Sequence, residues 1–262
     1  MTHASHPALC LEQQGHTALL TLNNPPAHTW TADSLDALAN IISDLNADKN
    51  NYALIITGSG EKFFSAGADL NEFNHSDNAK CERFSHAFAN AFTALANYQG
   101  VSIAAINGFA MGGGLETALA CDIRIAEPHA QMALPECSVG LLPCGLGTQH
   151  LGLLVGEQWA KRVILLGERL NADKALAIGL ISDIVAPGKV LEAAQNLAVK
   201  THKQSPMAVR YCKELIMSSR DKPLNQAISE ECEKFALLWG TDDQKEGVAA
   251  FIEKRKPEWK NQ

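Results

Sequence analysis

The sequence predicts an α/β fold with right-handed crossovers between parallel strands. Three observations carry this. Buried-strand runs alternate with helical periodicity through the first half, glycine-rich stretches of neither period join them, and beyond Thr148 the pattern is mostly helical. In chain order, residues 8–12 and 16–22 are short apolar or alternating runs separated by Gln13-Gln14-Gly15, a hairpin signal. Across 31–45, Leu35, Leu38, Ala39, Ile42 and Leu45 share one helical face, and Thr31 or Asp33 can accept from the free amides at its start. Residues 52–57 (YALIIT) read as a buried strand and 58–69 (GSGEKFFSAGAD) as a loop. Phe84, Phe88, Ala91 and Leu95 predict a helix over 81–98. A second buried strand, Val101–Ile106, leads through Asn107-Gly108 to Met111-Gly112-Gly113-Gly114 and a helix over 115–120. Strands are expected at Ile123–Ala126 and Gln131–Ala133, a break at Ala186-Pro187-Gly188, and helices near 192–202, 208–219, 225–238 and 244–256. No internal repeat or low-complexity tract is visible.

Composition narrows the function classes. The chain has 262 residues, 46% hydrophobic and 19% charged, which is the usage of a folded globular protein. Lys and Arg total 22 against 29 Asp and Glu, a net charge of −7, so the basic footprint of a nucleic-acid binder is missing. The seven cysteines are scattered without a C-x-x-C pair, which reads as reduced thiols in a cytoplasmic setting and no metal site. The amino terminus lacks a basic region followed by an apolar run, and no segment approaches the ~18 apolar residues that span a bilayer. The chain is therefore expected to begin close to Met1, to stay soluble and to have no membrane partner.

Three segments carry candidate chemistry. The first, 64–70 (FSAGADL), leaves its backbone uncovered, so an amide such as that of Ala68 can donate to a ligand oxygen; taken alone, a tight turn packed close to a neighbouring element is the simpler explanation. The second, 103–123 (IAAINGFAMGGGLETALACDI), puts a triple glycine at the start of a helix. Free amides and the positive end of the dipole face whatever precedes Gly113, which suits an oxyanion, phosphate or carboxylate. G-x-G-x-x-G and G-K-[ST] are both absent, so hydride and phosphoryl transfer lose their main support. Glu116 lies three residues after Gly113, either facing that ligand or serving as a first-turn capping carboxylate. In the third, 133–149 (ALPECSVGLLPCGLGTQ), Glu136 follows a proline among apolar neighbours, a setting that raises a buried carboxyl's proton affinity if it is not simply a surface turn.

These residues resemble the crotonase superfamily, specifically its enoyl-CoA hydratases. The likeness runs through Ile103, Ala104, Ile106, Asn107, Gly108, Gly112-Gly113-Gly114, Leu119, Cys121, Asp122 and Ile123, and extends from TLNNPPAHTW near Thr21 to the terminal KEGVAAFIEKRKPEW. The resemblance implies an α/β spiral of ββα units over 1–199 carrying the CoA thioester site. A helical region over 200–262 would then form a homotrimer or dimer of trimers. It implies that the amides of Ala68 and Gly113 hold the thioester carbonyl, and that Glu116 and Glu136 are the acid–base pair, with Glu116 as base and Glu136 as acid. Members that only isomerise double bonds commonly lose the first glutamate, so the pair favours hydration of a trans-2-enoyl-CoA. The implied CoA and substrate contacts are Lys62, Ala66, Gly67, Asp69, Leu70, Gly112 and Lys254. The implied acyl pocket involves Phe73, Leu141, Leu142 and Cys144. Coenzyme A enters as part of the substrate and water is the second reactant; no metal, nicotinamide or flavin is implied.

The chain also departs from the family pattern. Asn71 stands where a lysine is common, and Cys144 and Leu146 replace two small residues of a P-G-A-G-G-T run. His28 and Trp30 sit in the first loop near the expected CoA, with packing the expected role for both. The competing readings are another crotonase-fold enzyme, an isomerase or thioester hydrolase, and a non-catalytic acyl-CoA-binding subunit; the latter has no need for a paired acid and base.

Overall fold

The structure, a computed structural model, describes residues 6–73 and 77–262. Its first unit is the expected hairpin, β1 (Leu9–Gln14) paired antiparallel to β2 (Thr17–Leu22) through a tight turn with Gly15 at φ +61°. α1 (Ala32–Ala47) starts at Thr31. The Thr31 hydroxyl accepts from the Ser34 amide at 3.2 Å while the Ser34 hydroxyl accepts from the Thr31 amide at 2.9 Å, a reciprocal cap.

From here the chain repeats one device, sending one strand into a large sheet and the next into a small one. β3 (Ala53–Gly58), β5 (Val101–Ile106) and β7 (Ile123–Ala126) enter the large sheet, while β4 (Phe63–Ser65), β6 (Phe109–Met111) and β8 (Gln131–Ala133) enter the small one. α2 (Asn78–Ala96) and α3 (Gly113–Ala120) close the first two such units. The large sheet is ordered β1-β2-β3-β5-β7-β10 and the small one β4-β6-β8-β9, with β9 at Leu170–Asn171 and β10 at Asp183–Ile184. Every pairing is parallel except β1 with β2 and β8 with β9. The expected spiral of ββα units is thus borne out. β4 lies where the sequence predicts loop and β6 where it predicts a turn, and neither β9 nor β10 has a signal in it. Two or three residues are too few to display a period of two.

Asn107 shows why the unit turns where it does. Its side-chain amide donates to the carbonyls of Gly58 at 2.9 Å and Gly60 at 2.8 Å, and its oxygen accepts from the Gly58 amide at 3.1 Å. One side chain therefore clips the exit of β3 to the exit of β5, satisfying backbone groups that the sheet no longer pairs.

Burial follows the strand period. Leu54, Ile56, Ala104 and Ile106 face the principal core with α1, α2 and α3, whereas Ala53, Ile55, Ile103 and Ala105 face α7 (Val190–Thr201), which covers the opposite side through Val190, Ala194 and Ala198. Strands buried on both faces read as continuous apolar runs, as these do. Each fully buried Leu or Ile contributes roughly 1.5–3 kcal/mol.

The second half is helical: α4 (Gly147–Val155), α5 (Glu157–Leu165), α6 (Ala172–Ala177), then α7, α8 (Pro206–Ser218), α9 (Leu224–Leu238) and α10 (Asp242–Glu253). Asp122 anchors α8 to the core, because its carboxylate accepts from the Ser102 amide and hydroxyl and from Lys213 Nζ at 2.7 Å. α9 and α10 leave large apolar side chains uncovered, among them Leu224, Phe235, Phe251 and Ile252, as does Trp239 between them. No helix of the described residues is long and apolar enough to cross a membrane.

Candidate active site

The site begins with two loops forced close together. Gly67 has φ +93°, and a Cβ there would stand 2.6 Å from the Met111 carbonyl oxygen and 3.0 Å from the Gly113 nitrogen. Only glycine tolerates both the conformation and the approach. The third glycine of the triple is similarly constrained, since a Cβ on Gly114 would lie 2.2 Å from the Ser65 carbonyl oxygen. Small residues in both motifs therefore let the exit of β4 lie against the start of α3.

That juxtaposition brings two unused amides to one cleft. Trp30 and Ala68 form an isolated parallel bridge in which the Trp30 amide donates to Gly67 and the Asp69 amide donates to Trp30. The Ala68 amide takes no part, and the Gly113 amide is the first of α3, with no earlier turn to accept it. Among the described residues neither has a backbone acceptor. Both residues line a cleft of about 920 Å³ with Glu116 and Glu136.

Glu116, on the first turn of α3, is 2% exposed. Its Oε1 accepts from the amides of Gly145 and Gly147, both at 2.8 Å, so the N-terminus of α4 rather than of its own helix serves this carboxylate. Glu136 opens a 3-10 turn, Glu136–Val139, for which the sequence gives no signal; its Oε2 is buried with no partner among the described residues. Burial pushes the Glu116 carboxyl up to about 7, the charge of Glu136 adding to this and the two amides opposing it. Burial likewise pushes Glu136 up to about 7. The asymmetry is chemical: two donors favour the anion at Glu116, and none from outside its own residue does so at Glu136. The Cys144 thiol, beside both, is pushed up to about 12 by burial and then by the two carboxylates, which is the opposite of an activated nucleophile.

An aromatic ladder runs behind the cleft and reaches it at Phe73 and Phe88. Phe73, Phe84, Phe88, Phe92 and Trp30 follow one another in edge-to-face contacts, with centroids 4.9–5.9 Å apart. Trp30 is buried there, and His28 is tied by its ring nitrogens to the Asn24 amide and the Ser59 carbonyl, so both pack, as expected.

Of the expected site residues, Ala66, Ala68, Leu70, Phe73, Gly112, Gly113, Glu116, Glu136, Leu141, Leu142 and Cys144 line the cleft together. Lys62, Gly67, Asp69 and Lys254 do not. Asp69 instead caps the 3-10 turn Leu70–Glu72 and accepts from the Asn71 amide and side chain. Lys62 lies over the Phe63 ring at 5.2 Å, and Lys254 ends α10 in a left-handed conformation at φ +55°. Sequence reasoning missed Cys81, Ser85 and the amides of Gly145 and Gly147. The first two sit at helical spacing with Phe88 on the cleft face of α2, a signal hidden by the stronger apolar stripe beside it.

Two unpaired amides beside two buried, proton-retaining carboxyls define a site that can hold a carbonyl oxygen and exchange protons next to it. The chain matches the enoyl-CoA hydratase/isomerase family over residues 12–262, and it belongs to that family. It is 38% identical over 249 residues to the short-chain-enoyl-CoA hydratase of Clostridium acetobutylicum, covering 95% of each chain. Among solved structures, Pseudomonas aeruginosa DspI is 54% identical, with a TM-score of 0.95 over 99% of this chain and 98% of that one. The enoyl-CoA hydratase of Bacillus anthracis is 33% identical, with a TM-score of 0.93 over 97% of this chain and all of that one.

Proposed function

We propose that the protein adds water across the 2,3 double bond of a trans-2-enoyl-CoA to give a 3-hydroxyacyl-CoA. The observation carrying this reading is the pair of buried carboxyls, Glu116 and Glu136, in one cleft with the free amides of Ala68 and Gly113. The relative from Clostridium acetobutylicum, named for hydration of short-chain enoyl-CoA, supports it.

In this reading the thioester oxygen sits between the amides of Ala68 and Gly113, and negative charge gathers on it as water attacks C3. Donors placed for such an oxyanion are typically worth roughly 3–4 kcal/mol each in the transition state. Glu116 takes a proton from the attacking water. Its donors at Gly145 and Gly147 favour the ionised form a base requires. Glu136, unpartnered at Oε2, delivers a proton to C2 of the enolate. The oxygen ends on C3, the hydrogen on C2, and the two carboxyls are left one proton exchanged, to be reset through solvent. Thioester and water are the two reactants of this chemistry.

Two wider readings accompany it. The uncovered apolar side chains of α9 and α10 support residues 200–262 as the subunit contact of a homotrimer or dimer of trimers. Seven free cysteines support a cytoplasmic, reducing setting.

Incubation of crotonyl-CoA with the protein in ¹⁸O-water tests the reaction itself. Hydration gives 3-hydroxybutyryl-CoA with the label at C3. Release of free CoA, or a shifted double bond with no label, would replace this reading with hydrolysis or isomerisation.

A further inference from the structure

The run 143–147 contains a residue that neither its composition nor the reaction explains. Leu146 has φ +75° and ψ 3°, the left-handed region that a branched apolar residue rarely enters. The residues on either side are the donors to Glu116, Gly145 and Gly147. Amides flanking a left-handed residue converge on a single anion, and here both reach Oε1 at 2.8 Å. Neither neighbour has room for a side chain. A Cβ on Gly145 would lie 2.4 Å from the Phe92 ring and 2.9 Å from Glu116 Oε2, and one on Gly147 would lie 2.7 Å from Glu116 Oε1. Leu146 is half-buried against the principal core, and its carbonyl accepts from the amides of Gln149 and His150 at the start of α4. Strain of this kind persists only where surrounding contacts enforce it.

We propose that Leu146 is a positioning residue: its side chain, held by the core, locks the left-handed turn that aims the Gly145 and Gly147 amides at Glu116 and so fixes the orientation and basicity of that carboxylate. A glycine at 146 adopts the same backbone without strain but also many others, so the turn loses its anchor. This role rests on the reading of Glu116 as the base; the geometry of the turn does not. The titratable groups set against Glu116 are Glu136 and the Cys144 thiol, and Leu146 changes neither.

The test compares wild type, L146G and L146M, each with and without E116Q, by denaturant unfolding across pH, alongside pH profiles of kcat with crotonyl-CoA. The difference between each protein and its E116Q partner isolates the titration of Glu116. In L146G that titration moves upward by about one pH unit because amide donors are lost. kcat falls about 10-fold with KM changed less than about two-fold, and L146M returns both toward wild type. A lower unfolding free energy in L146G with the Glu116 titration unmoved would make Leu146 a packing residue only and overturn the proposal. So would wild-type behaviour of L146G in both readouts. If wild type fails to hydrate crotonyl-CoA while the titration still moves, the positioning role stands and the assigned reaction fails.

Discussion

Gly67 and Gly113 approach so closely that a Cβ on the first would stand 3.0 Å from the amide nitrogen of the second. The second candidate oxyanion donor therefore depends on the absence of a side chain in the loop that carries the first. Gly67→Ala must push the loop away from Met111 and Gly113, and must also hold alanine at φ +93°. The expected result is a loss of about 1–3 kcal/mol in unfolding free energy. Hydration should slow about 100-fold or more as the Ala68 amide leaves the thioester oxygen. Denaturant unfolding and crotonyl-CoA kinetics check the two effects separately.

The buried carboxyls make stability depend on pH in a defined direction. Burial raises both Glu116 and Glu136 to about 7, above the ordinary carboxyl value, so the folded state holds these protons more tightly than the unfolded state does. Their favourable contribution is complete below about pH 4.5 and is lost as pH rises to about 7, by up to about 3 kcal/mol per group. Glu116→Gln and Glu136→Gln remove the ionisable group. Relative to wild type, each variant should therefore gain stability between pH 5 and pH 8, whatever its fixed offset. Parallel urea titrations at the two pH values measure this, and equal slopes with pH would show that the carboxyls are not buried as described.

Thiol reactivity offers an independent probe of the same region. Cys144 and Cys121 are both pushed up to about 12 by burial, whereas Cys10, Cys81 and Cys137 are exposed. At pH 8 the first two should react with iodoacetamide on the order of 100- to 1,000-fold more slowly than the exposed ones. Peptide mass spectrometry after timed labelling reads each site. Cys144→Ala should retain hydration, since the amides around Glu116 belong to residues 145 and 147.

The pieces that were legible in the sequence share a physical reason. Glycine runs, the proline before Glu136 and the Asn107-Gly108 turn are local chemistry that one residue type performs and few others can, so motif and geometry coincide. β3 and β5 were legible because strands buried on both faces are uniformly apolar. What stayed hidden depends on tertiary contact. β4 and β6 exist because Asn107 and the glycines bring the unit exits together, not because three residues prefer a strand. The donors to Glu116 come from a loop 29 and 31 residues away. Nothing about a leucine announces a left-handed backbone at position 146.

The exposed apolar faces of α9 and α10 predict association. Sedimentation of the wild-type chain should give a species larger than the 28.2 kDa monomer. Phe251→Asp together with Ile252→Asp, both more than 70% exposed in the single chain, should shift it toward monomer without unfolding it. A wild-type chain that sediments as a monomer at micromolar concentration would contradict the assigned role of this face.

If Glu116 and Glu136 work as one acid–base pair, both are needed for loss of the conjugated thioester absorbance of crotonyl-CoA, followed with wild type, Glu116→Gln and Glu136→Gln. Rapid loss is expected in wild type and a fall of at least about 100-fold in both variants, with folding intact. Retained turnover in either variant would contradict the pairing and move the chemistry to other groups in the cleft.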